Sequence, residues 1–144
     1  MKFLIINGPN LNLMHFTEPG VAGQIDYNAL LDYLEVCCQQ MDIQVEFFQS
    51  NHEGDLIDEI QSAAGRADGI VINPAAYTHT SVAILDALKA VAIPAVEVHI
   101  SAVETREDFR QVSYARLACF ATITGEGLQG YAHALELLKE RLEK

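Results

Sequence analysis

Cationic residues are scarce in this chain: its 144 residues include 9 Lys and Arg against 20 Asp and Glu, a formal net charge of −11. No cation occurs between Lys2 and Arg66, a stretch that holds ten acidic residues. Nucleic acids and anionic membranes are bound mainly through Lys and Arg contacts to phosphate, so we expect neither as a partner. An anionic ligand has to find its positive potential at Arg106, Arg110 or Arg116, or at backbone N–H groups of loop and helix starts.

Cysteines and long apolar runs are also few. The three cysteines, two of them adjacent as Cys37 and Cys38, form neither a disulfide framework nor a paired C-x-x-C motif. No segment approaches the roughly 18 consecutive apolar residues of a membrane span, and no basic leader with an apolar run begins the chain. We therefore expect a soluble cytoplasmic protein whose cysteines are small core residues in a reducing compartment.

Half of the residues are hydrophobic, which at this length predicts one compact domain over residues 1–144. Short apolar runs alternate with segments of 3.6-residue period, the βαβ pattern. The predicted strands are 3–6, 44–48, 69–72, 95–98 and 118–124, and the predicted helices are 27–41, 55–64, 82–90 and 128–142. The last helix carries an apolar stripe of Leu128, Ala132, Leu135, Leu138 and Leu142. Strand 69–72 is apolar at every position, as in a sheet covered on both faces. This predicts a flavodoxin-like three-layer α/β fold with a five-stranded parallel sheet in the order 2-1-3-4-5.

Polar residues follow three of these strands. Segment 7–13 follows strand 1, segment 73–81 follows strand 3, and segment 97–101 ends strand 4. In an open parallel sheet, ligands collect outside the carboxyl ends of the strands, at the switch point between strands 1 and 3. The sequence therefore predicts that all three segments converge on one crevice.

An acidic residue and a histidine end strand 4. Glu97 and His99 are two positions apart and so face the same side of the strand. A carboxylate beside an imidazole favours the imidazolium and fixes its orientation, which suits a general acid. A structural ion pair is the alternative, but the strand end favours catalysis. Asn73 and His79 in the same crevice supply more polar groups than helix capping requires.

Neither the glycine-rich segment 125–130 nor the histidines predict a cofactor. Residues 125–130 match G-x-G-x-x-G, but the next helix runs to the end of the chain, leaving no second strand and no acidic ribose partner, and Glu126 would repel a pyrophosphate. A tight turn with close helix packing is the preferred interpretation. The five histidines show no metal-ligand spacing, so we expect no metal.

Motifs along nearly the whole chain resemble the type II 3-dehydroquinate dehydratases. They are residues 8–13 (GPNLNL), 50–54 (SNHEG), 73–81 (NPAAYTHTS), Asp86, 97–101 (EVHIS), 106–110 (REDFR) and 130–131 (GY). The resemblance implies anti elimination of water from 3-dehydroquinate through an enolate, giving 3-dehydroshikimate without metal or Schiff base, in the shikimate pathway or quinate catabolism. It also implies a homododecamer built from trimers.

The resemblance implies a role for each matching residue. His99 would protonate the departing hydroxyl, Asn10 would hold the water that stabilises the enolate oxygen, and Glu97 would orient His99. The substrate hydroxyls would be bound by Asn73, His79 and Arg110, and its carboxylate by the backbone N–H groups of Ile100 and Ser101. Asp86 would reach the site of the neighbouring subunit.

The segment after the first motif departs from the family pattern. The family reads roughly G-x-R-E-P-x-x-Y-G, and residues 15–23 here read H-F-T-E-P-G-V-A-G. The Arg is replaced by Thr17, and the Tyr, which is the base that removes the proton next to the ketone, is replaced by Ala22. General base catalysis contributes on the order of 10²–10⁴-fold, so this loss predicts binding with poor turnover. Leu85, Ala102 and Glu104 also differ from the usual Arg, Asn and His.

Three functions stay open at this stage. The first is a dehydroquinate dehydratase that is slow or uses another base, with His15, Glu18 and Tyr27 as nominees; packing is the safer role for Tyr27. The second is a non-catalytic paralogue that binds dehydroquinate or quinate-like hydroxy acids. The third is elimination or isomerisation of another hydroxy acid, in which the substrate assists proton removal.

Overall fold

Five parallel strands form the central sheet of the computed structural model, which describes residues 1–17 and 23–144. The strands are β1 (Lys2–Asn7), β2 (Gln44–Gln49), β3 (Gly69–Asn73), β4 (Ala95–Val98) and β5 (Ala121–Ile123). Their order is β2-β1-β3-β4-β5, which confirms the predicted sheet. Asn7 pairs with Asn73 at the ends of β1 and β3, so these two polar side chains meet at the switch point.

Helices cover both faces of the sheet. They are α1 (Tyr27–Gln40), α2 (Glu53–Ser62), α3 (Val82–Val91) and α4 (Gln129–Glu143). Alternate β1 side chains enter opposite cores: Phe3 and Ile5 pack in the core of α1 and α4, while Leu4 and Ile6 pack in the core of α2 and α3. Because β1 and β3 are buried on both sides, the apolar runs 3–6 and 69–72 are continuous. The flavodoxin-like three-layer prediction is therefore confirmed.

One local prediction was wrong and another was right only in part. Residues 118–120 are not part of a strand, because Ala115–Ala118 forms a 3₁₀ helix and β5 is limited to Ala121–Ile123. Of the stripe predicted for the last helix, Leu128, Leu135 and Leu138 are buried and Leu142 packs against the core, but the fully buried side chains of α4 are Tyr131, Ala134, Leu135 and Leu138. This spacing of three and four residues is ordinary for a packed helix, and it brings a tyrosine hydroxyl into the core.

A short antiparallel ribbon was not predicted. His15–Phe16 pairs with Ile25–Asp26, so His15 lies opposite Asp26. Asp26 then caps α1, its carboxylate accepting a hydrogen bond from the backbone N–H of Ala29 at 2.8 Å. Glu18 and Ala22, named in the sequence predictions, lie outside the described residues. In the rest of the chain no helix has the length and apolar character needed to cross a membrane.

Candidate active site

A cavity of about 510 Å³ opens at the carboxyl ends of β1, β3 and β4, within the usual size of small-molecule sites. Its wall includes Asn10, Asn73, His79, His99, Ile100, Ser101 and Arg110 from the predicted site set. Glu97 lies behind His99 rather than on the wall, and Asp86 is exposed on α3, away from the cavity. The structure thus brings seven of the nine predicted residues to one surface.

The Glu97 and His99 side chains are in contact inside the protein. Glu97 is fully buried and His99 nearly so, with His99 Nε2 3.0 Å from Glu97 Oε1. An ionised carboxylate only accepts hydrogen bonds, so Nε2 carries the proton. His99 Nδ1 makes no hydrogen bond to any other described residue, and it is the ring atom that can exchange a proton with a ligand.

Three more side chains hold the Glu97 carboxylate. Ser113 Oγ donates to Oε1, while Thr122 Oγ1 donates to Oε2 at 3.2 Å and Arg116 Nε to Oε2 at 3.4 Å. Burial by itself raises the pKa of this carboxyl, but the hydrogen bonds from His99 and Ser113 and the nearby cations outweigh it, so the pKa lies below its usual range. Glu97 therefore stays ionised and holds the His99 ring in one orientation. No pattern in the sequence indicates Ser113 or Thr122, and Arg116 contacts Glu97 and is not on the wall.

A chain of buried hydrogen bonds fixes Asn73. Its Nδ2 donates to the hydroxyl of Tyr131 at 3.0 Å, and that hydroxyl donates to Asn7 Oδ1 at 2.6 Å. Asn73 Oδ1 accepts from the backbone N–H of Ala75 at 3.1 Å. Burial raises the pKa of Tyr131 far above its usual value, so the hydroxyl keeps its proton. One N–H and one lone pair of Asn73 are left for a ligand.

Asn10 is held in place by its backbone. It adopts a left-handed conformation, φ 70°, which asparagine tolerates better than most residues, and its N–H donates to Asn51 Oδ1 at 2.9 Å.

Two residues before Asn10, Gly8 packs so tightly that an added Cβ would lie 2.4 Å from the carbonyl oxygen of Pro74. The first and third strand-end loops are therefore locked together, because only glycine permits this approach.

The glycine-rich loop after β5 orients the segment that follows β4. The N–H groups of Gly125 and Gly127, both at positive φ, donate to the carbonyls of Ser101 and Ile100 at 3.0 and 3.1 Å. Within the described structure the N–H groups of Ile100 and Ser101 donate to no other residue. The glycine loop holds the carbonyls of Ile100 and Ser101, and the N–H groups of the same two residues are available to bind an anion in the cavity.

The charged residues of the wall are cationic. Arg106 and Arg110 line the cavity, and no Asp or Glu does so among the residues described. Glu104, which replaces a family His, accepts hydrogen bonds from Thr124 Oγ1 at 2.9 and 3.1 Å and is not on the wall. Glu107 pairs with Arg110, which lowers the pKa of the Glu107 carboxyl. The cavity is therefore suited to a small anion despite the acidic composition.

Two of the three nominated replacement bases, His15 and Tyr27, are among the described residues. His15 lines the cavity, whereas Tyr27 does not. The Tyr27 hydroxyl accepts from Asn7 Nδ2 at 3.3 Å, and burial raises its pKa. Thr17 is exposed and also lies off the wall.

Comparison with known proteins agrees with this architecture. The family model described as Dehydroquinase class II matches residues 1–139. A 3-dehydroquinate dehydratase from Caldicellulosiruptor bescii is 49% identical over 143 residues, 99% of each chain. The crystal structure of a type II dehydroquinase from Butyrivibrio crossotus has a TM-score of 0.90 at 48% identity and covers 96% of this chain and 97% of that one. A 3-dehydroquinate dehydratase-like protein from Bifidobacterium longum has a TM-score of 0.74 at 29% identity, covering 99% and 98%.

Proposed function

Since the chain belongs to the class II dehydroquinase family, we propose that it is a hydro-lyase that removes water from 3-dehydroquinate by anti elimination to give 3-dehydroshikimate. The observation that carries this proposal is the buried Glu97 carboxylate in contact with His99 on the wall of a cationic cavity. The reaction needs an acid for the departing hydroxyl, a base for the proton beside the ketone, and stabilisation of the enolate between them.

His99 is the acid in this proposal. With Nε2 bonded to Glu97, the imidazolium donates the Nδ1 proton to the leaving hydroxyl, which departs as water. The adjacent carboxylate stabilises the imidazolium before the transfer and holds the ring in one orientation. Asn10 stabilises the enolate oxygen through a bound water, and the fixed left-handed backbone at Asn10 keeps its carboxamide at the cavity wall.

The substrate is held by its carboxylate and hydroxyls. The carboxylate is bound by the N–H groups of Ile100 and Ser101, which the glycine loop orients. The hydroxyls are bound by Asn73, His79 and Arg110, all of which line the cavity. His79 Nδ1 donates to the carbonyl of Val112 at 2.7 Å, so its Nε2 is the acceptor presented to a hydroxyl.

The assembly completes the site in this proposal. Asp86 is exposed on α3 and contributes nothing to the cavity of its own chain. We propose that it reaches the site of a neighbouring subunit in a dodecamer of trimers, and that the protein acts in the cytoplasm in the shikimate pathway that supplies aromatic amino acids. The exposed apolar side chains Phe109 and Leu117, 68% and 67% exposed in the single chain, support burial by a second copy.

Turnover is tested by adding purified protein to 3-dehydroquinate and following the ultraviolet absorbance of the conjugated enone. We expect a signal that His99→Ala loses and that His133→Ala retains, because His133 is on α4 and bonds Glu126, outside the cavity. Equal absorbance from the wild type and the His99 variant would contradict the assignment of the acid.

A second function is favoured by one observation, the absence of a titratable side chain at Thr17 and Ala22. A non-catalytic paralogue would keep the carboxylate and hydroxyl pocket and bind dehydroquinate or quinate without converting them. Calorimetry with both ligands distinguishes the two functions: micromolar binding without enone formation supports the paralogue, and normal turnover eliminates it.

A further inference from the structure

Proton removal next to a ketone requires a base on the cavity wall, and few wall residues qualify. The titratable side chains among the described wall residues are His15, His79, His99, Arg106 and Arg110; that part of the wall has no Asp, Glu, Tyr, Lys or Cys. Arginine does not lose its proton in proteins. The base is therefore one of the three histidines, as far as the described wall extends.

Two of these histidines are already engaged. The Nε2 of His99 is bonded to the ionised Glu97, and the proposed function uses this ring as the acid. His79 donates through Nδ1 to the carbonyl of Val112 at 2.7 Å, and its acceptor nitrogen serves a substrate hydroxyl in the proposed function. Two histidines in different surroundings thus carry different tasks.

His15 is the remaining wall histidine, and its ring has no partner among the described residues. Its backbone is fixed by pairing with Asp26 in the ribbon. No described residue, Asp26 included, forms an ion pair or hydrogen bond with this ring, and Asp26 Oδ1 accepts instead from the N–H of Ala29. A ring nitrogen without a hydrogen-bond partner can accept a proton from a ligand, which is what a base has to do.

We propose that His15 is the catalytic base of this chain. It takes the role of the tyrosine that the family pattern has where this chain has Ala22, which carries no titratable atom. This inference rests on the proposed function and identifies one more catalytic residue for it. His15 also occupies a position where the family pattern has glycine, so an extra imidazole occurs in the same segment that lacks the tyrosine.

The proton transfers balance. A ring nitrogen of His15 takes the proton from the carbon beside the ketone, and the electrons of that C–H bond form the enolate. The enolate then forms the new C=C bond as the C–O bond breaks, and His99 donates its proton to the leaving oxygen to make water. His15 is exposed to solvent, so it releases the proton it gained, and His99 takes one up before the next turnover.

The test compares His15→Ala with the wild type in the enone assay. We expect kcat to fall by about 100-fold or more, the usual contribution of a general base, while calorimetry shows dehydroquinate bound with little change. Added imidazole should restore kcat of the variant in proportion to its concentration, because it enters the space left by the ring. A purely structural role of His15 would give no such rescue.

Three further variants exclude the rivals. His15→Gln keeps a polar side chain without the base and should be as slow as His15→Ala, which guards against misfolding of the smaller variant. Glu18→Gln and His133→Ala should keep the wild-type rate. Three results would each overturn the proposal. The first is a wild-type rate in both His15 variants, and the second is a Glu18→Gln variant as slow as we expect for His15→Ala. The third is a folded His15→Ala that binds substrate but is not rescued by imidazole.

The same assay separates failure of the inference from failure of the proposed function. If the wild type gives no enone although it binds dehydroquinate, the proposed function fails and the base assignment fails with it. If the wild type turns over and His15→Ala turns over equally, only the base assignment fails.

Discussion

Removing the hydroxyl of Tyr131 tests whether the core supports the active site. Tyr131 is fully buried, and its hydroxyl accepts from Asn73 Nδ2 and donates to Asn7 Oδ1 at 3.0 and 2.6 Å. Both asparagines are also buried, 3% and 0% exposed. In Tyr131→Phe each asparagine would lose one hydrogen bond, because the phenylalanine ring has no polar atom to replace the hydroxyl.

The expected cost follows from these two broken bonds. A buried polar group left without its partner costs about 1–3 kcal/mol, and partial relaxation of the pair brings the sum to roughly 3 kcal/mol. The unfolding entropy of a chain of this size is about 0.3 kcal/mol/K, so the melting temperature should fall by about 10 °C. Urea unfolding at fixed protein concentration measures the free energy directly, and the m-value should not change.

Tyr27→Phe is the matched control. The Tyr27 hydroxyl ends the same chain of hydrogen bonds, accepting from Asn7 Nδ2 at 3.3 Å, and its side chain is only partly buried. Its loss should cost about 1 kcal/mol or less. In Tyr131→Phe the freed Asn73 should also raise KM for dehydroquinate. Equal urea midpoints for Tyr131→Phe and Tyr27→Phe would refute the reasoning, because the buried asparagines would then need no hydroxyl.

Three other predictions concern Gly8, Glu97 and the pair of loop positions Thr17 and Ala22. Gly8→Ala should destabilise the protein by about 1–3 kcal/mol in urea unfolding through overpacking, whereas Gly54→Ala, where a Cβ meets nothing within 4 Å, should stabilise it by about 0.5–1 kcal/mol. The pKa of Glu97 is lowered below 4.5 in the folded protein, so its contribution to stability is present above that pH and lost as the pH falls; unfolding of Glu97→Gln should therefore depend less on pH between about 5 and 3. Thr17→Arg with Ala22→Tyr should raise enone formation strongly and should restore it in His15→Ala without imidazole; an unchanged rate in the folded variants would contradict the idea that only loop chemistry is missing.

The main architecture is readable from the sequence because it depends on local patterns. Residues 69–72 of β3 are all apolar, which is typical of a sheet covered on both faces, and the alternation of strands with helical periods leads to the parallel order. The strand-end rule then identifies where Asn73 and His99 meet. Both inferences use neighbours in sequence or the general geometry of parallel sheets.

Contacts between distant residues are not readable in this way. Tyr131 and Asn7 are 124 positions apart, and a tyrosine on an apolar stripe gives no sign that its hydroxyl will hold an asparagine of the site. Likewise Thr122 follows Glu97 by 25 positions. The G-x-G pattern could be rejected as a nucleotide site from sequence, but only the coordinates show its amides binding the carbonyls of Ile100 and Ser101.

Binding of an anion by so acidic a chain is explained by the short range of electrostatic interactions. At physiological ionic strength, charges are largely screened beyond about 8 Å, so the net charge of −11 affects the approach of a carboxylate more than its affinity in the cavity. Near the wall, Arg106 and Arg110 and two unengaged backbone N–H groups supply positive potential. Two nearby acidic side chains are paired away from the wall, Glu97 with His99 and Arg116 and Glu104 with Thr124. A third, Glu107, pairs with Arg106 and Arg110 but does not itself line the cavity. The arrangement of a few local groups, and not the overall composition, therefore determines which ligand this cavity binds.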